Sequence, residues 1–377
     1  MRHIIFSLLA LLFYSCPAFS DSIPCQFQMR DGSLRCGKVL SPEKLNKKAL
    51  VIFVNHRQKK VEEARCDYSY LVDKLLADGI SCCFYDNRAL HSEDSTSLTT
   101  LFDMADDAAD VYNSLKKNKV FKKYKMGFIG TSESGASALI SASAVSKPSF
   151  LIQLVTNVKP QDQKDHQIDI LYENPKWTGL FTDWFTAMAL PFFKDVARYI
   201  PPNVGFGLQY HEYSAMFQMM IDDMKHSRIG DKEDYAKRLY NKYEGSIKNG
   251  KEYFVPLITR FLKKQMEEDY MAPRMWYNAK PYYKKVKCPI LFLSGYHDYN
   301  VLCSTNIVEF EKTMHENGNK NYTSVIVDAT HNLMDYRVER LFMHRHGGDG
   351  PIDESKYYQI MDTIGEWLNG NVKCRKD

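Results

Sequence analysis

The fold is decided by the stretch Lys125-Met-Gly-Phe-Ile-Gly-Thr-Ser-Glu-Ser-Gly-Ala-Ser-Ala-Leu139. A short apolar run of strand character leads into a tight turn, and a run of small residues with helical character follows. This order predicts a nucleophile elbow, a sharp strand-to-helix turn that exposes the hydroxyl of Ser132 at the edge of a sheet. Gly130 and Gly135 flank the serine because the two backbones of such a turn lie too close for larger side chains. Ser134 stands where the strict Gly-x-Ser-x-Gly pattern has its second glycine, and we interpret it as a tolerated variant.

Two later strand ends carry the residue types that a nucleophilic serine needs. Asp298 ends the segment Cys288-Pro-Ile-Leu-Phe-Leu-Ser-Gly-Tyr-His-Asp, and His331 ends the segment Tyr322-Thr-Ser-Val-Ile-Val-Asp-Ala-Thr-His. His331 would take the proton of Ser132, and Asp298 would hold the imidazole in the useful tautomer. Taken singly, Asp298 is equally a turn residue and His331 a loop histidine. Their order after the serine, each at a strand end, favours a Ser-Asp-His triad.

These segments resemble the α/β-hydrolase superfamily, and within it exported bacterial esterases related to the dienelactone hydrolase and prolyl oligopeptidase groups. Phe84-Tyr-Asp-Asn-Arg-Ala-Leu-His-Ser92 is similar to the superfamily's Asp-x-Arg-Gly-x-Gly-x-Ser segment, and Asp31-Gly32 is similar to its N-terminal hairpin turn. The resemblance implies a Ser132, Asp298 and His331 triad. It also implies an oxyanion hole formed by the backbone N–H of Glu133 and that of His56 or Arg57. The chain departs from the superfamily here, because Asn55-His56-Arg57 replaces the usual His-Gly.

Strand-like and helix-like runs alternate on both sides of the elbow, which predicts an α/β fold with a doubly wound, mostly parallel sheet. A β-hairpin is expected at 25–40, and residues 21–158 and 286–377 are expected to form the α/β-hydrolase core. Residues 159–285 lack strand-like runs and are expected to form a mainly helical cap. The aromatic residues of the cap are expected mostly to pack against one another, although a few would line an acyl pocket. The candidates for that pocket are Trp177, Trp184, Phe185 and Met188.

The clearest helix of the core is predicted near 98–117, where apolar residues recur at helical spacing. Its predicted apolar stripe is Leu98, Leu101, Phe102, Ala105, Ala109, Tyr112 and Leu115. The lysines after it, Lys116-Lys117-Asn118-Lys119 and Lys122-Lys123, are interpreted as a solvated helix end, because cations suit the carboxyl end of a helix dipole.

The chain has 377 residues, of which 44% are apolar and 25% charged, so it can bury a large core. The net charge of +4 is slight for this length and argues against nucleic acid as a partner. His344, His346 and Asp349 are interpreted as a glycine-rich surface loop, and we expect neither a metal site nor an organic cofactor.

The first twenty residues have the order of an export signal, with Arg2 and His3 before an apolar run and a small-x-small site at Ala18-Phe-Ser20. The run is too short to span a bilayer, and cleavage before Asp21 is expected. A lipid-modified Cys16 is the less favoured alternative. Export would permit disulfides among the remaining cysteines. A two-residue turn at Asp31-Gly32 would place Cys25 and Cys36 diagonally on one face of the hairpin. Their α-carbons would then be about 7 Å apart, which is the limit for a disulfide.

Taken together, the sequence predicts an exported serine hydrolase that cleaves carboxylic esters through an acyl-enzyme and acts on a small ester or short acyl substrate. Two alternatives remain open. One is a short-peptide or amide hydrolase that uses the same triad. The other is a non-catalytic binding protein that has an impaired oxyanion hole. The sequence leaves the oligomeric state open.

Overall fold

The computed structural model describes residues 21–43, 47–54, 60–66, 68–91, 99–160, 210–247, 250–267, 276–298, 301–333 and 355–372. They form two compact units. The sheet unit contains the residues up to Thr156, those of 280–297 and those from Glu311 onward. The helical unit contains residues 157–279 and 298–310. Within these described ranges, no helix is both long and apolar enough to cross a bilayer.

The sheet unit is built on eight described strands in the order β1-β2-β4-β3-β5-β6-β7-β8. Strand β2 runs antiparallel to both β1 and β4, and every other neighbouring pair is parallel. The predicted α/β fold, with a mostly parallel sheet and an N-terminal hairpin, is therefore confirmed. The strands are β1 (Asp21–Gln28), β2 (Leu34–Ser41), β3 (Ala49–Phe53), β4 (Ser81–Tyr85), β5 (Lys125–Thr131), β6 (Leu151–Leu154), β7 (Ile290–Gly295) and β8 (Tyr322–Val327).

The described helices cover both faces of the sheet or form the helical unit. They are α1 (Val61–Cys66), α2 (Ser69–Ala77), α3 (Leu101–Lys117), α4 (Glu133–Ala144), α5 (Tyr210–Lys225), α6 (Lys232–Tyr243), α7 (Lys251–Glu267), α8 (Lys280–Tyr283), α9 (Cys303–Glu316) and α10 (Ser355–Asn371), with a 3-10 turn at Arg88–His91.

Both faces of the central strands are buried, as a doubly wound sheet requires. On one face, Ile129 of β5 belongs to a core cluster with Leu75 of α2 and Ile364 of α10. The next residue back, Phe128, points to the opposite face, where its ring lies 5.5 Å from that of Tyr112 in α3. The apolar run of β5 is explained by this two-sided burial.

Helix α3 begins at Leu101, because Thr100 caps it. The Thr100 side chain accepts from the N–H of Asp103, and the Asp103 carboxylate accepts from the N–H of Thr100. The predicted stripe is largely correct, since Leu101, Ala105, Ala109, Tyr112 and Leu115 are buried. The prediction was wrong at Phe102, which is 38% exposed because the buried face passes through Met104 and Ala108 instead. Leu98 lies outside the described residues.

The N-terminal hairpin has a different register from the one that a two-residue Asp31-Gly32 turn would give. Cys25 lies opposite Gly37, and Gln26 lies opposite Cys36. A shift of one residue reverses the face that each side chain occupies. Cys25 and Cys36 therefore lie on opposite faces of the hairpin, and both thiols are free. The turn is longer than expected, because residues 29–33 close it with a hydrogen bond from Met29 N to Ser33 O.

The helical unit has its own apolar core, formed where α5, α6 and α7 meet. Met216 and Met220 of α5 are fully buried there, beside Leu239 of α6 and Phe254 of α7. Met216 and Met220 therefore pack between helices. The candidate pocket residues Trp177, Trp184, Phe185 and Met188 lie outside the described residues.

Arginines tie the hairpin and the loop after β4 to helix α3. Arg88 donates to both carboxylate oxygens of Asp107, at 3.1 and 2.6 Å, and pairs with Asp103 at 2.7 Å. The Asp107 side chain is only 2% exposed, and its burial raises its pKa although Arg88 lies beside it. Arg30, which is half exposed, pairs with Asp106 at 2.5 Å and with the mostly buried Asp110 at 3.0 Å. Arg88 is thus a structural anchor of the loop.

We predict that Arg88→Ala lowers the free energy of unfolding by about 3 kcal/mol, because it leaves the Asp107 carboxylate buried without its partner. Lys38→Ala is the matched control and should cost less than about 1 kcal/mol, since water solvates the Lys38–Glu62 ion pair that it removes. Urea unfolding of both variants measures the difference. Equal losses would contradict the structural role assigned to Arg88.

Candidate active site

Ser132 occupies a strained turn between strand and helix. Strand β5 ends at Thr131 and α4 begins at Glu133, so Ser132 alone makes the turn, with φ 56° and ψ −121°. Non-glycine residues avoid this left-handed conformation, and where it occurs it clusters at functional sites. The Ser132 N–H donates to Leu154 O of β6 at 2.8 Å, and Ser132 O accepts from Gly135 N at 3.1 Å. These bonds fix the backbone of the turn, which has the predicted elbow geometry.

The two flanking glycines are required by the close approach of the backbones. A Cβ at Gly130 would lie 2.2 Å from Ser134 O, and a Cβ at Gly135 would lie 1.8 Å from Thr156 Oγ1. Ser134 fits because its side chain is fully buried and its hydroxyl bridges Thr131, accepting from N and donating to O at 2.9 Å each. The structure thus explains why serine can replace the second glycine of the motif.

A buried polar network supports the elbow from the neighbouring strand β6, and the sequence did not predict it. Gln153 of β6 donates from Nε2 to Gly135 O at 2.9 Å and accepts from the Tyr283 hydroxyl at 2.7 Å. Burial raises the pKa of Tyr283 well above its usual value, so its hydroxyl remains a donor. The available signal was one polar residue, Gln153, inside the otherwise apolar strand Leu151–Leu154.

A second strained residue lies beside the elbow. Val155 has φ 45°, which is rare for a β-branched residue, and its N–H donates to Leu293 O of β7 at 2.7 Å. Thr156 follows directly and packs against Gly135. On the other side, the Tyr68 hydroxyl lies 2.7 Å from Thr131 Oγ1. The elbow is therefore held from both neighbouring segments.

The structure brings His331 to Ser132. His331 lies in the loop after β8, and its Nε2 is 3.1 Å from Ser132 Oγ. This is hydrogen-bond distance, so the imidazole is placed to accept the serine proton. The sequence predicted these two residues as partners although 199 positions separate them.

Asp298 lies three residues after the end of β7. Its side chain is buried, with 3% exposure, and Oδ1 accepts from the Val301 N–H at 2.8 Å. This bond is the turn interaction that the sequence offered as the alternative role of Asp298. A buried carboxylate at the carboxyl end of a parallel strand also has the position expected of a triad acid.

The segments that carry Asp298 and His331 are joined just before these residues. The His297 N–H donates to Ala329 O at 3.0 Å, and a Cβ at Gly295 would lie 2.5 Å from the same oxygen. The His297 side chain contacts Asp328 through Nε2 and Oδ1 at 2.9 Å. Asp328 also binds the Lys356 ammonium, which together with His297 lowers the pKa of that carboxyl. His297 thus holds the two loops together.

Part of the predicted site falls outside the described residues. His56 and Arg57, the predicted second source of an oxyanion N–H, belong to this part. His344, His346 and Asp349, which were interpreted as a surface loop and not as a site, also lie outside the described residues. Glu133 is described and is buried in the first turn of α4, where backbone N–H groups have no partner within the helix. The residues that the structure describes contain no group of three metal-ligating side chains.

The strand order and the elbow together define an α/β-hydrolase fold, as predicted. No protein-family model matches the chain, and no curated protein matches it in sequence. Among solved structures it is similar to an esterase of Pyrococcus furiosus, with 15% identity over 93% of this chain and 91% of the other and a TM-score of 0.50.

Two further solved structures are similar to this chain with lower TM-scores. A carboxyl esterase from Bacillus coagulans, solved in complex with glycerol, has 13% identity over 94% of this chain and 100% of its own, with a TM-score of 0.49. A dienelactone hydrolase from Anabaena variabilis has 10% identity over 93% of this chain and 97% of its own, with a TM-score of 0.47.

We predict that Gly135→Ala lowers the free energy of unfolding by about 1–3 kcal/mol, because the new methyl group overlaps Thr156 beneath the elbow. Gly370→Ala in α10 is the control, since a Cβ there meets no atom within 4 Å and alanine favours the helix by up to about 1 kcal/mol. Chemical unfolding compares the two variants. A Gly135→Ala protein as stable as Gly370→Ala would show that the close approach is absent.

Proposed function

We propose that this protein is an exported serine hydrolase that cleaves carboxylic esters through an acyl-enzyme. The observation that carries the proposal is the 3.1 Å approach of His331 Nε2 to Ser132 Oγ at a strained strand-to-helix turn. A serine hydroxyl is a weak nucleophile by itself, and an adjacent imidazole is the usual means of activating it.

The proposed reaction begins with attack of Ser132 Oγ on the ester carbonyl while His331 takes the serine proton. Asp298 orients the imidazole and stabilises the imidazolium that forms. The N–H of Glu133 and one from His56 or Arg57 bind the oxyanion of the tetrahedral intermediate. His331 then returns the proton to the leaving alcohol, and water releases the acyl group by the same steps. The scheme needs no metal or organic cofactor.

One feature supports the choice of an ester over an amide as substrate. The Pyrococcus furiosus structure that shares this fold is an esterase. The serine at the elbow suits acyl transfer from either an ester or an amide. We therefore propose a small ester or short acyl compound, with residues 159–285 acting as a cap on the core of residues 21–158 and 286–377.

We also propose that residues 1–20 are removed on export. The support is the order of the sequence, in which Arg2 and His3 precede an apolar run and Ala18-Phe-Ser20 forms a small-x-small cleavage site. N-terminal sequencing of the exported protein should read Asp-Ser-Ile-Pro-Cys. An exported chain that begins at Cys16 and carries lipid would overturn this cleavage site.

We predict that Ser132→Ala lowers kcat for p-nitrophenyl butyrate by at least about a thousandfold, while the thermal unfolding transition stays unchanged. Ser143→Ala is the control, because this serine lies in the same helix and its hydroxyl donates only to Ile140 O at 2.8 Å. It should keep the wild-type rate.

The outcomes separate the alternatives. Wild-type turnover in Ser132→Ala would contradict the proposed nucleophile. Faster turnover of a short peptide p-nitroanilide than of the ester, lost in Ser132→Ala, would favour the amide hydrolase. A folded wild-type protein without activity on either substrate would favour the non-catalytic binding protein.

A further inference from the structure

A group of exposed lysines gathers at the end of the sheet opposite Ser132. In parallel strands all amino ends lie at one edge. The connections that lead into β3, β5, β6, β7 and β8 each carry at least one exposed lysine, and together these residues form what we name the basic edge. The basic edge consists of Lys48, Lys117, Lys119, Lys122, Lys123, Lys147, Lys284, Lys285, Lys287 and Lys320.

Hydrogen bonds between neighbouring connections join parts of the basic edge to one another. Lys125 N donates to Lys48 O at 2.7 Å, which joins the entries of β5 and β3. Tyr112 donates to Lys147 O at 3.1 Å, which joins α3 to the entry of β6. Asn319 donates to Val286 O at 3.1 Å, which joins the entries of β8 and β7.

The charge of the basic edge is not neutralised locally. None of its ten lysines forms an ion pair with a described residue. Lysines elsewhere in the sheet unit do so, such as Lys74 with Asp362 at 3.0 Å. Of the described acidic residues near this edge, Asp21 and Glu43 lie at its β1–β2 end, Asp78 precedes β4 and accepts from Asn369 Nδ2 at 2.6 Å, and Glu316 is engaged by Lys280.

Helix dipoles explain only part of this arrangement. Lys117 lies in the last turn of α3, where a cation is favoured, but this effect fades beyond the last turn. Lys122, Lys123, Lys285 and Lys287 lie in loops. The interpretation of the lysines after α3 as a solvated helix end is therefore incomplete.

The turn between α3 and β5 adds an apolar residue at the centre of the lysines. Phe121 and Tyr124 are buried and pack edge to face at 5.4 Å, which fixes the turn. Val120 is consequently held outward and is 61% exposed, between Lys119 and Lys122. Exposed cations around an exposed aliphatic side chain match a bilayer surface, which offers anionic headgroups above acyl chains.

We propose that the basic edge is a docking surface for anionic phospholipid membranes. Lysine ammonium groups would bind lipid phosphates, and Val120 would enter the interfacial layer. Ser132 lies at the carboxyl end of β5 and the basic edge at its amino end, about 20 Å apart for seven residues. A docked protein would therefore direct Ser132 away from the bilayer. The proposal does not depend on the proposed catalytic function.

The test measures co-sedimentation with vesicles of phosphatidylcholine alone and with vesicles containing about one third phosphatidylglycerol. The wild-type protein should bind only the anionic vesicles, and binding should fall steeply between about 0.05 M and 0.5 M salt. The triple variant K119E/K122E/K123E should lower the partition coefficient at least about tenfold. The wild-type protein and every variant begin at the same residue, so that the N terminus does not differ between the samples.

The matched control is K242E/K251E/K263E, which changes the net charge equally on exposed lysines of the helical unit and should keep most of the binding. Circular dichroism and thermal unfolding confirm that both variants fold. Equal loss of binding in the two triple variants would overturn the proposal, because net charge and not the basic edge would then control binding. Absence of wild-type binding to anionic vesicles would also overturn it.

Val120→Ser separates a membrane from other polyanions. It should weaken binding to anionic vesicles severalfold and leave binding to a fluorescent duplex DNA unchanged. Binding of duplex DNA by the wild-type protein without vesicle binding would replace the membrane with nucleic acid and contradict the proposal.

Discussion

The rest of the structure depends on one steric constraint, the close approach of β5 and α4 at the elbow. There is no room for a Cβ at Gly130 or Gly135, because Ser134 O and Thr156 occupy that space. Ser132 must therefore turn the chain within one residue and accept a positive φ. That strain is offset by fixed backbone bonds and by the Gln153 network. The serine hydroxyl is consequently held at the carboxyl edge of the sheet, where His331 meets it.

The two edges of the sheet differ in chemistry because parallel strands all run in the same direction. Their amino ends therefore lie at one edge and their carboxyl ends at the other. The carboxyl ends bring together the turn that contributes Ser132 and the loop that contributes His331, and the His297–Asp328 contact joins this loop to the segment after β7. The amino ends bring together the connections that contribute the lysines. One topology thus concentrates reactive groups at one edge and positive charge at the other. On this account the catalytic and docking surfaces do not compete for the same edge.

The sequence predicted the elements whose signals are local. The elbow, the strands around it and helix α3 follow from runs of apolar and small residues, and Ser132 and His331 follow from their positions at strand ends. The register of the hairpin was not predictable, because a turn of three residues, 30–32, instead of two moved Cys36 to the other face. Gln153 and the basic edge were missed for a related reason. The roles of these residues depend on contacts between segments far apart in the chain. The spacing of apolar residues along the sequence carries no information about such contacts.

The central claim is that this fold activates Ser132 and no other serine. It is tested most directly by treating the folded protein with a fluorophosphonate and locating the adduct by peptide mass spectrometry. The account predicts one adduct per chain, on Ser132, and a reaction rate that falls steeply when His331 is replaced by alanine. An unmodified Ser132 in the folded protein, or a rate that is unchanged without His331, would contradict it.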